Sequence, residues 1–262
     1  MSPPRLQGAL WRELSHLSIQ ITAGELPGRG AQVRNVGKLV RHADYNPDDM
    51  SNDIALLELD YPVQCSPYIQ LACLPDATLR VSELRNCWVA GWGATTARAA
   101  DPKSSDHLQE AKVQLINVKL CNSSRWYAGD IHTHNLCAGY PQGTIDTCQG
   151  DSGGPLMCKD NHAEYWWVVG LTSWGKGCAR ARKPGIYTST QFFYDWIVFQ
   201  MSLSPEGSYS ATSRAWSLQA SPPEINLQQP SRLNKILAVP CSKFILSNLR
   251  DMTAKQKLRK FF

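Results

Sequence analysis

The segment DTCQGDSGGP, residues 146–155, decides how the rest of the chain is interpreted. A lone serine, Ser152, stands between an aspartate and two glycines, in a loop that also contains Cys148. A nucleophilic hydroxyl needs a tight turn that presents it, small neighbours that let a substrate backbone approach, and backbone N–H groups directed at a developing oxyanion. Gly150 and residues 152–154 meet these needs. The segment therefore predicts a nucleophilic serine, and the alternative is a glycine-rich hairpin turn with an incidental serine.

Composition and charge separate a body from a tail. The chain has 262 residues, 43% of them hydrophobic, which allows one large or two small globular domains and excludes a disordered or collagen-like chain. Its formal charge is +5. Residues 205–262 contain nine basic and three acidic side chains, whereas residues 1–204 contain 18 basic and 19 acidic ones. The body is almost neutral, and the basic character belongs to the tail.

The cysteines favour disulfides. Eight of the nine lie in the body, and none has the paired CxxC spacing of a zinc site, which indicates an oxidising compartment. Residues 1–16 lack the apolar core of a signal peptide, and no run approaches the ~18 apolar residues of a membrane span. We therefore expect no export signal in the chain as given, which conflicts with the cysteines. The nine are Cys65, Cys73, Cys87, Cys121, Cys137, Cys148, Cys158, Cys178 and Cys241.

The body shows the pattern of an all-β protein. From about residue 17 to residue 187, short apolar runs are broken by Gly, Pro, Asn and Asp, with turn signals such as YPQG at residues 140–143. This pattern is typical of a barrel or a sandwich. The runs are residues 36–40, 54–59, 88–92, 113–118, 166–174 and 186–188.

The body ends in a predicted helix. Apolar residues at i, i+1, i+4, i+5 and i+9 from Phe192 to Met201 fit an amphipathic helix with Ser189 or Thr190 as its N-cap. The following residues are rich in Ser and Pro, which predicts a flexible linker. Residues 233–262 end in KQKLRKFF and allow a weak basic amphipathic helix for an acidic surface, although a solvated tail is favoured.

Five motifs, in this order along the chain, resemble the chymotrypsin-fold serine endopeptidases of the trypsin group over residues 17–201. The resemblance implies an all-β fold of two six-stranded antiparallel β-barrels with a C-terminal helix. It implies that residues 1–84 are an incomplete first barrel, that residues 85–201 are the second barrel, and that residues 202–262 are a basic, flexible tail. The motifs are NDIALL at 52–57, CWVAGWG at 87–93, GDSGGP at 150–155, SWGKGCA at 173–179 and KPGIY at 183–187.

The resemblance also implies roles for individual residues. Ser152 is the expected nucleophile of an acyl-enzyme mechanism, Asp53 is the buried carboxylate that orients a histidine, and the N–H groups of Gly150 and Ser152 form the oxyanion hole. The alternative for Asp53 is an aspartate that caps a strand. Asp146 is expected at the base of a pocket that binds substrate Arg or Lys, because a buried carboxylate needs a cation. The expected lining residues are Thr147, Gln149, Ser173, Trp174, Gly175 and Gly185.

No histidine occupies the position that the resemblance requires. The family carries it in an Ala-Ala-His-Cys segment before the aspartate, and His16 and His42, which precede Asp53, match other positions. His107, His132, His134 and His162 follow Asp53 in loops. A segment beginning Ile-Val-Gly-Gly, whose amino terminus would pair with Asp151, and about three strands are missing too. We therefore expect a chain that is truncated at its front and is inactive alone.

The resemblance further predicts the disulfides Cys87–Cys158, Cys121–Cys137 and Cys148–Cys178. Cys65 and Cys73 are expected to tether a light chain, with a local Cys65–Cys73 bridge as the alternative. Asn122 begins an Asn-Ser-Ser glycosylation sequon. We expect no cofactor, no metal and no nucleic-acid partner.

Residues 121–160 and 177–188 resemble the acrosomal branch of the family, found in sperm. This implies a secretory vesicle or extracellular location. The implied partners are protein substrates with Arg or Lys at the cleavage site, serine protease inhibitors and egg-coat glycoproteins. Two other hypotheses stay open: a non-catalytic binding module for basic peptides or egg-coat glycans, and a protein whose function lies in its basic tail.

Overall fold

The computed structural model describes residues 18–21, 32–64, 69, 71–94, 105, 108–203, 244–247 and 259–260. Within them are eleven strands, a 3-10 turn at Val81–Glu83 and two helices, α1 (Val118–Cys121) and α2 (Tyr194–Ser202). The described helices include none that is long and apolar enough to span a membrane. The strands are β1 (Ser18–Ile21), β2 (Gln32–Arg41), β3 (Ala55–Leu59), β4 (Asn86–Gly91), β5 (Gln109–Ile116), β6 (Asn135–Gly139), β7 (Pro155–Lys159), β8 (Trp166–Trp174), β9 (Gly185–Ser189), β10 (Phe244–Ser247) and β11 (Arg259–Lys260).

Six strands close into an antiparallel barrel in the order β4-β5-β6-β9-β8-β7. Closure removes edge strands and encloses a core of apolar side chains that alternate along each strand. This confirms the predicted six-stranded second barrel, followed by a C-terminal helix. The buried core includes Val89, Val113, Leu156, Val169 and Tyr187.

All three predicted disulfides are present in this barrel. Cys87–Cys158 joins two directly paired residues of β4 and β7. Cys121–Cys137 joins α1 to β6, and Cys148–Cys178 joins the loop before β7 to the loop after β8. Each bridge restricts the unfolded chain and thereby stabilises the folded one. The third also fixes the loop that contains Ser152.

The first half of the fold is an open sheet with the strand order β10-β3-β2-β1-β11. β2 and β3 form its longest antiparallel pair, with an irregularity between Val36 and Lys38. β3 has the sequence ALLEL and is buried at four of its five positions. The described strands of this half do not close into a barrel. The incomplete first barrel stays a prediction.

Two short pieces of the tail are strands, which differs from the expectation of a flexible or solvated tail. Phe244–Ser247 runs antiparallel to β3, and Arg259–Lys260 runs parallel to β1. The apolar segment FILS meets an apolar strand that has no other neighbour on that edge among the described strands. This pairing was not visible in the local composition of the tail. The segments around them lie outside the described residues.

Helix α2 begins later than predicted. Its N-cap is Phe193, which makes no side-chain capping hydrogen bond. Ser189 is still part of β9, and its hydroxyl accepts a hydrogen bond from the N–H of Phe192, while the Thr190 hydroxyl donates to the carbonyl of Val168. The prediction of Ser189 or Thr190 as the N-cap is therefore wrong, because both hydroxyls hold the turn between β9 and the helix.

The helix joins the two halves of the fold. Phe193 and Ile197 pack with Ile54 and Leu56, which flank the start of β3, and with Leu171 of β8. Phe192, which was predicted on the apolar face, is 56% exposed instead. The contact between barrel, helix and β3 therefore rests on Phe193 and Ile197.

Truncating Ile197 should weaken the whole structure. Ile197→Ala is expected to lower the free energy of unfolding by about 2–5 kcal/mol, because the side chain is buried between both halves. Val198→Ala, at an exposed position one residue along, is the matched control and should change it by less than about 0.5 kcal/mol. Urea unfolding of both variants measures this, and equal midpoints would contradict the packing described.

Candidate active site

Asp53 is completely buried at the junction of the two halves. Its carboxylate oxygen Oδ2 accepts a hydrogen bond from the Ser173 hydroxyl at 2.5 Å, and its backbone carbonyl accepts one from the Thr188 hydroxyl at 3.0 Å. Both donors belong to the closed barrel, on β8 and β9. Ser173, which was predicted as a pocket wall, is therefore buried against Asp53 and fixes the orientation of its carboxylate.

A strained turn precedes Asp53. Asn52 has a φ of 52°, in the left-handed region that non-glycine residues seldom adopt. Its N–H donates to Nε2 of His134 at 3.1 Å, and its side-chain amide donates to the carbonyl of Asp44 at 2.9 Å. These bonds hold the turn so that the next side chain points into the barrel junction.

The serine loop is held by β8, the same strand that contacts Asp53. The N–H of Gly153 donates to the carbonyl of Thr172 at 2.7 Å, and the N–H of Thr172 donates to the carbonyl of Gly154 at 2.8 Å. Thr172 directly precedes Ser173, which contacts Asp53. Consecutive residues of β8 therefore bring the Ser152 loop and Asp53 to the same end of the barrel.

The loop itself depends on glycine. Gly150 and Gly153 have φ values of 92° and 70°, which a side chain would strain. Among the described backbone hydrogen bonds, none uses the N–H of Gly150 or of Ser152. Backbone N–H groups beside a serine hydroxyl are the kind of donor that can stabilise a developing oxyanion.

Asp151 braces the loop from behind. One carboxylate oxygen accepts from the N–H of Gly93 at 2.8 Å and the other from the N–H of Cys148 at 2.9 Å, while burial raises the pKa of the carboxyl. A Cβ atom at Gly91 would lie 1.9 Å from Oδ1 of Asp151, and one at Gly93 would lie 2.4 Å from its Cγ. Only glycine at both positions leaves room for this carboxylate.

Asp146 occupies a partly buried position six residues before Ser152. Its carboxylate accepts hydrogen bonds from the N–H groups of Thr147 at 2.8 Å and Ala179 at 3.3 Å. Burial nevertheless raises its pKa to about 7, because these bonds offset only part of the desolvation. A Cβ on Gly185 would lie 2.7 Å from its Oδ1, so Gly185 keeps the carboxylate accessible.

A cavity of about 330 Å³ contains both carboxylates. Asp146, Thr147 and Ala179 line one part of it, and Asp151 with Gly91 and Gly93 lines another. A cavity with two carboxylates is suited to a cationic group. Gln149, Trp174 and Gly175, which were also predicted for the pocket, are not among the residues that line this cavity. The carbonyl of exposed Gln149 accepts a hydrogen bond from the N–H of Ala94, Trp174 packs edge-on against Tyr127 at 5.3 Å, and Gly175 is exposed.

The described histidines contact other groups. His42 packs against Phe193 and Trp196, and the N–H of His162 donates to Asp160. His132 lies 3.2 Å from the carbonyl of Asp49 and stacks on His134, with the ring centroids 5.1 Å apart. None of these contacts involves Ser152 or Asp53. His16 and His107 lie outside the described residues.

The structure bears only in part on the predictions for Cys65, Cys73 and Asn122. Cys73 is half-buried and forms no disulfide within the described part of the chain, and burial raises the pKa of its thiol. Cys65 lies outside the described residues. The side-chain oxygen Oδ1 of Asn122 accepts hydrogen bonds from the N–H groups of Gly129 and Ile131, and its side-chain amide donates to the backbone carbonyl of Ile131. The tether and the glycosylation site therefore stay predictions.

A closed antiparallel barrel with a buried aspartate and a serine on a glycine turn defines the class of chymotrypsin-fold serine proteases. The family model described as Trypsin matches residues 14–197, which is more than two thirds of the chain. The chain belongs to the trypsin family. Members of this family are serine endopeptidases that act on proteins, are targets of protein inhibitors and are commonly secreted, and the three disulfides fit an oxidising location.

The stability of this junction should depend on pH through His134. The side chain is buried, and its pKa is lowered first by burial and then by His132 and His42, with Asp49 acting in the opposite direction. Protonation would also remove the acceptor of the Asn52 N–H. A folded-state pKa below the usual value of about 6.5 gives stability that is complete above that pH and is lost as the pH falls through and below it.

Urea midpoints at pH 7.5 and pH 5 test this. We expect a lower midpoint at pH 5, and a smaller decrease in His134→Gln, which does not titrate. His162→Gln, at an exposed loop position, is the matched control and should behave like the parent chain. A parent-like pH response in His134→Gln would refute the linkage.

Proposed function

We propose that this chain carries the catalytic body of a trypsin-like endopeptidase that cleaves after Arg or Lys and that it is similar to acrosin, the acrosomal protease of sperm. The observation that supports this is the cavity that is lined by the partly buried Asp146 and lies beside the Ser152 loop. The side chain of a substrate Arg or Lys would enter the cavity and pair with Asp146. The carbonyl carbon of that substrate residue would then lie at the Ser152 hydroxyl.

The proposed reaction is acyl transfer. The Ser152 oxygen attacks the peptide carbonyl while a general base takes its proton, and the N–H groups of Gly150 and Ser152 stabilise the oxyanion. The C–N bond then breaks as the amine takes up that proton, and water hydrolyses the acyl-enzyme. Asp53 would orient the histidine that serves as the base. Because no histidine of this sequence matches that position, we expect the chain as given to be nearly inactive alone.

Two accessory features belong to the same proposal. Cys73 with Cys65 would hold a light chain through disulfides, and Asn122 would carry a glycan in a secretory compartment. Asp151 would receive the amino terminus produced by activation, and that pairing would shape the oxyanion hole. In this proposal the protein acts in a secretory vesicle such as the acrosome, or outside the cell, on proteins of the egg coat.

The alternative is a binding module without catalysis. It is favoured by the described histidines, which contact groups other than Asp53 and Ser152. In that case the cavity would bind basic peptides. Egg-coat glycans, which are acidic when sulfated, would contact the exposed side chains of Arg125, Arg180 and Arg182.

Hydrolysis of a Lys or Arg amide substrate distinguishes the two functions. Removing one triad member typically leaves only about 10³–10⁴-fold catalysis over water, so we expect the chain alone to show at most this residual rate. A fast hydrolysis rate that is abolished in Ser152→Ala and retained in the control Ser123→Ala would contradict the expectation that the chain alone is nearly inactive. Sequencing the full transcript is the complementary test: an upstream exon that encodes Ala-Ala-His-Cys supports the protease, and its absence supports the binding module.

Binding of benzamidine, an amidinium mimic of arginine, should rise with pH. The pKa of Asp146 is about 7 in the unoccupied cavity, and the cation binds the ionised form. We therefore expect the dissociation constant to fall by roughly 30-fold between pH 5.5 and pH 8.5. Asp146→Asn should bind weakly and independently of pH. A constant affinity of the parent chain over this range would show that Asp146 does not receive the cation.

A further inference from the structure

The C-terminal part of the chain contributes a strand to the sheet that follows Asp53. β10 runs antiparallel to β3 over four consecutive pairs, from Phe244 opposite Glu58 to Ser247 opposite Ala55. The other edge of β3 is paired with β2. β10 is therefore the outermost of the described strands on this side of the sheet, and the chain itself covers β3.

Without β10, β3 would be an apolar edge strand. In an antiparallel strand, alternate backbone groups point to each neighbour, so about half of the N–H and C=O groups of β3 face β10. Four of the five β3 residues are buried, and unpaired backbone groups in such surroundings are costly. An apolar edge of this kind is also a template for pairing with other chains.

We propose that this edge of β3 is a strand-acceptor site and that Phe244–Ser247 is its occupant in this chain. Strand addition takes its affinity from main-chain hydrogen bonds and its specificity from alternate side chains. The segment FILS supplies an aromatic and a β-branched residue, which are enriched in strands. Its register sets Ile245 opposite Leu57 and Leu246 opposite Leu56.

Covalent attachment explains how so short a strand remains engaged. Forty residues, 204–243, connect the turn after α2 to β10. The entropy cost of closing such a loop rises only slowly with its length, and the connection makes the pairing intramolecular. A four-residue strand that would bind weakly as a free peptide is therefore retained on β3.

The acceptor site adjoins the candidate active site. Ser247 pairs with Ala55, which is two residues after Asp53. Ile54 lies between them, and its carbonyl accepts the N–H of His42, so the backbone on both sides of this pairing is fixed. The tail strand is therefore a positioning element for the segment that carries Asp53.

Hydrogen exchange of the full chain tests the proposal. Ile245→Pro removes a backbone donor of β10 and should speed exchange at the β3 amides that face it by about tenfold or more. Exchange in β6 and β9 of the closed barrel should not change, which also reports that the variant is folded. Ser242→Pro, which lies outside the paired register, is the matched control. Equal β3 exchange in Ile245→Pro and the parent chain would overturn the proposal.

A peptide supplied in trans gives a second, independent measurement. The synthetic peptide of residues 241–250 should restore slow β3 exchange to the Ile245→Pro chain in a saturable way, and the same peptide with Ile245→Pro should not. Failure of the parent peptide to restore protection would overturn the acceptor site. Should Ile245→Pro not fold, Ile245→Gly keeps the N–H and lowers the strand preference, and its β3 amides should exchange severalfold faster.

Discussion

The hydrogen bond from the Ser173 hydroxyl to the Asp53 carboxylate is the interaction on which the site depends. A carboxylate without exposed surface is strongly destabilising unless it is hydrogen-bonded, so the fold must bring a donor to it. Ser173 is contributed by the closed barrel, 120 residues along the chain. The buried carboxyl group therefore requires that the open sheet and the barrel dock in one arrangement.

That docking has a consequence for the serine loop. β8 contacts Asp53 through Ser173 and the loop through Thr172, so one strand sets both positions. The loop has little freedom of its own, because Cys148–Cys178 closes it and Asp151 holds it against the backbone at Gly93. The site is thus built on a rigid strand with a braced loop, which is the arrangement that keeps reacting groups aligned.

Much of this could be predicted from the sequence, because motifs record local requirements. The glycines around Ser152 indicated the turn, and the resemblance supplied the barrel and the three disulfides. The hydrogen bond between Ser173 and Asp53 was not predicted, since a strand alternates its side chains between two faces and linear order does not show which face meets Asp53. The contact between Asn52 and His134 joins residues 82 apart, and no local pattern reveals it.

The pairing of β10 with β3 was missed for the same physical reason. A segment of four residues carries too weak a local signal to indicate a strand. It becomes a strand only because the edge of β3 is available for pairing. The sequence alone could not identify the segment that covers this edge of β3. Composition therefore separated the tail from the body, whereas the backbone groups of β3 need a hydrogen-bonding partner and a segment of the tail supplies it.

The two carboxylates of the cavity also need hydrogen-bond donors, as Asp53 does, but they receive donors of a different kind. Asp53 has a hydroxyl donor, whereas Asp146 and Asp151 rely on backbone N–H groups, and burial raises the pKa of both. The charge of Asp151 raises the pKa of Asp146 further. Two negative charges in one small cavity are unfavourable, so a cation that enters beside either carboxylate also favours ionisation of the other. Asp146 and Asp151 consequently share one electrostatic environment.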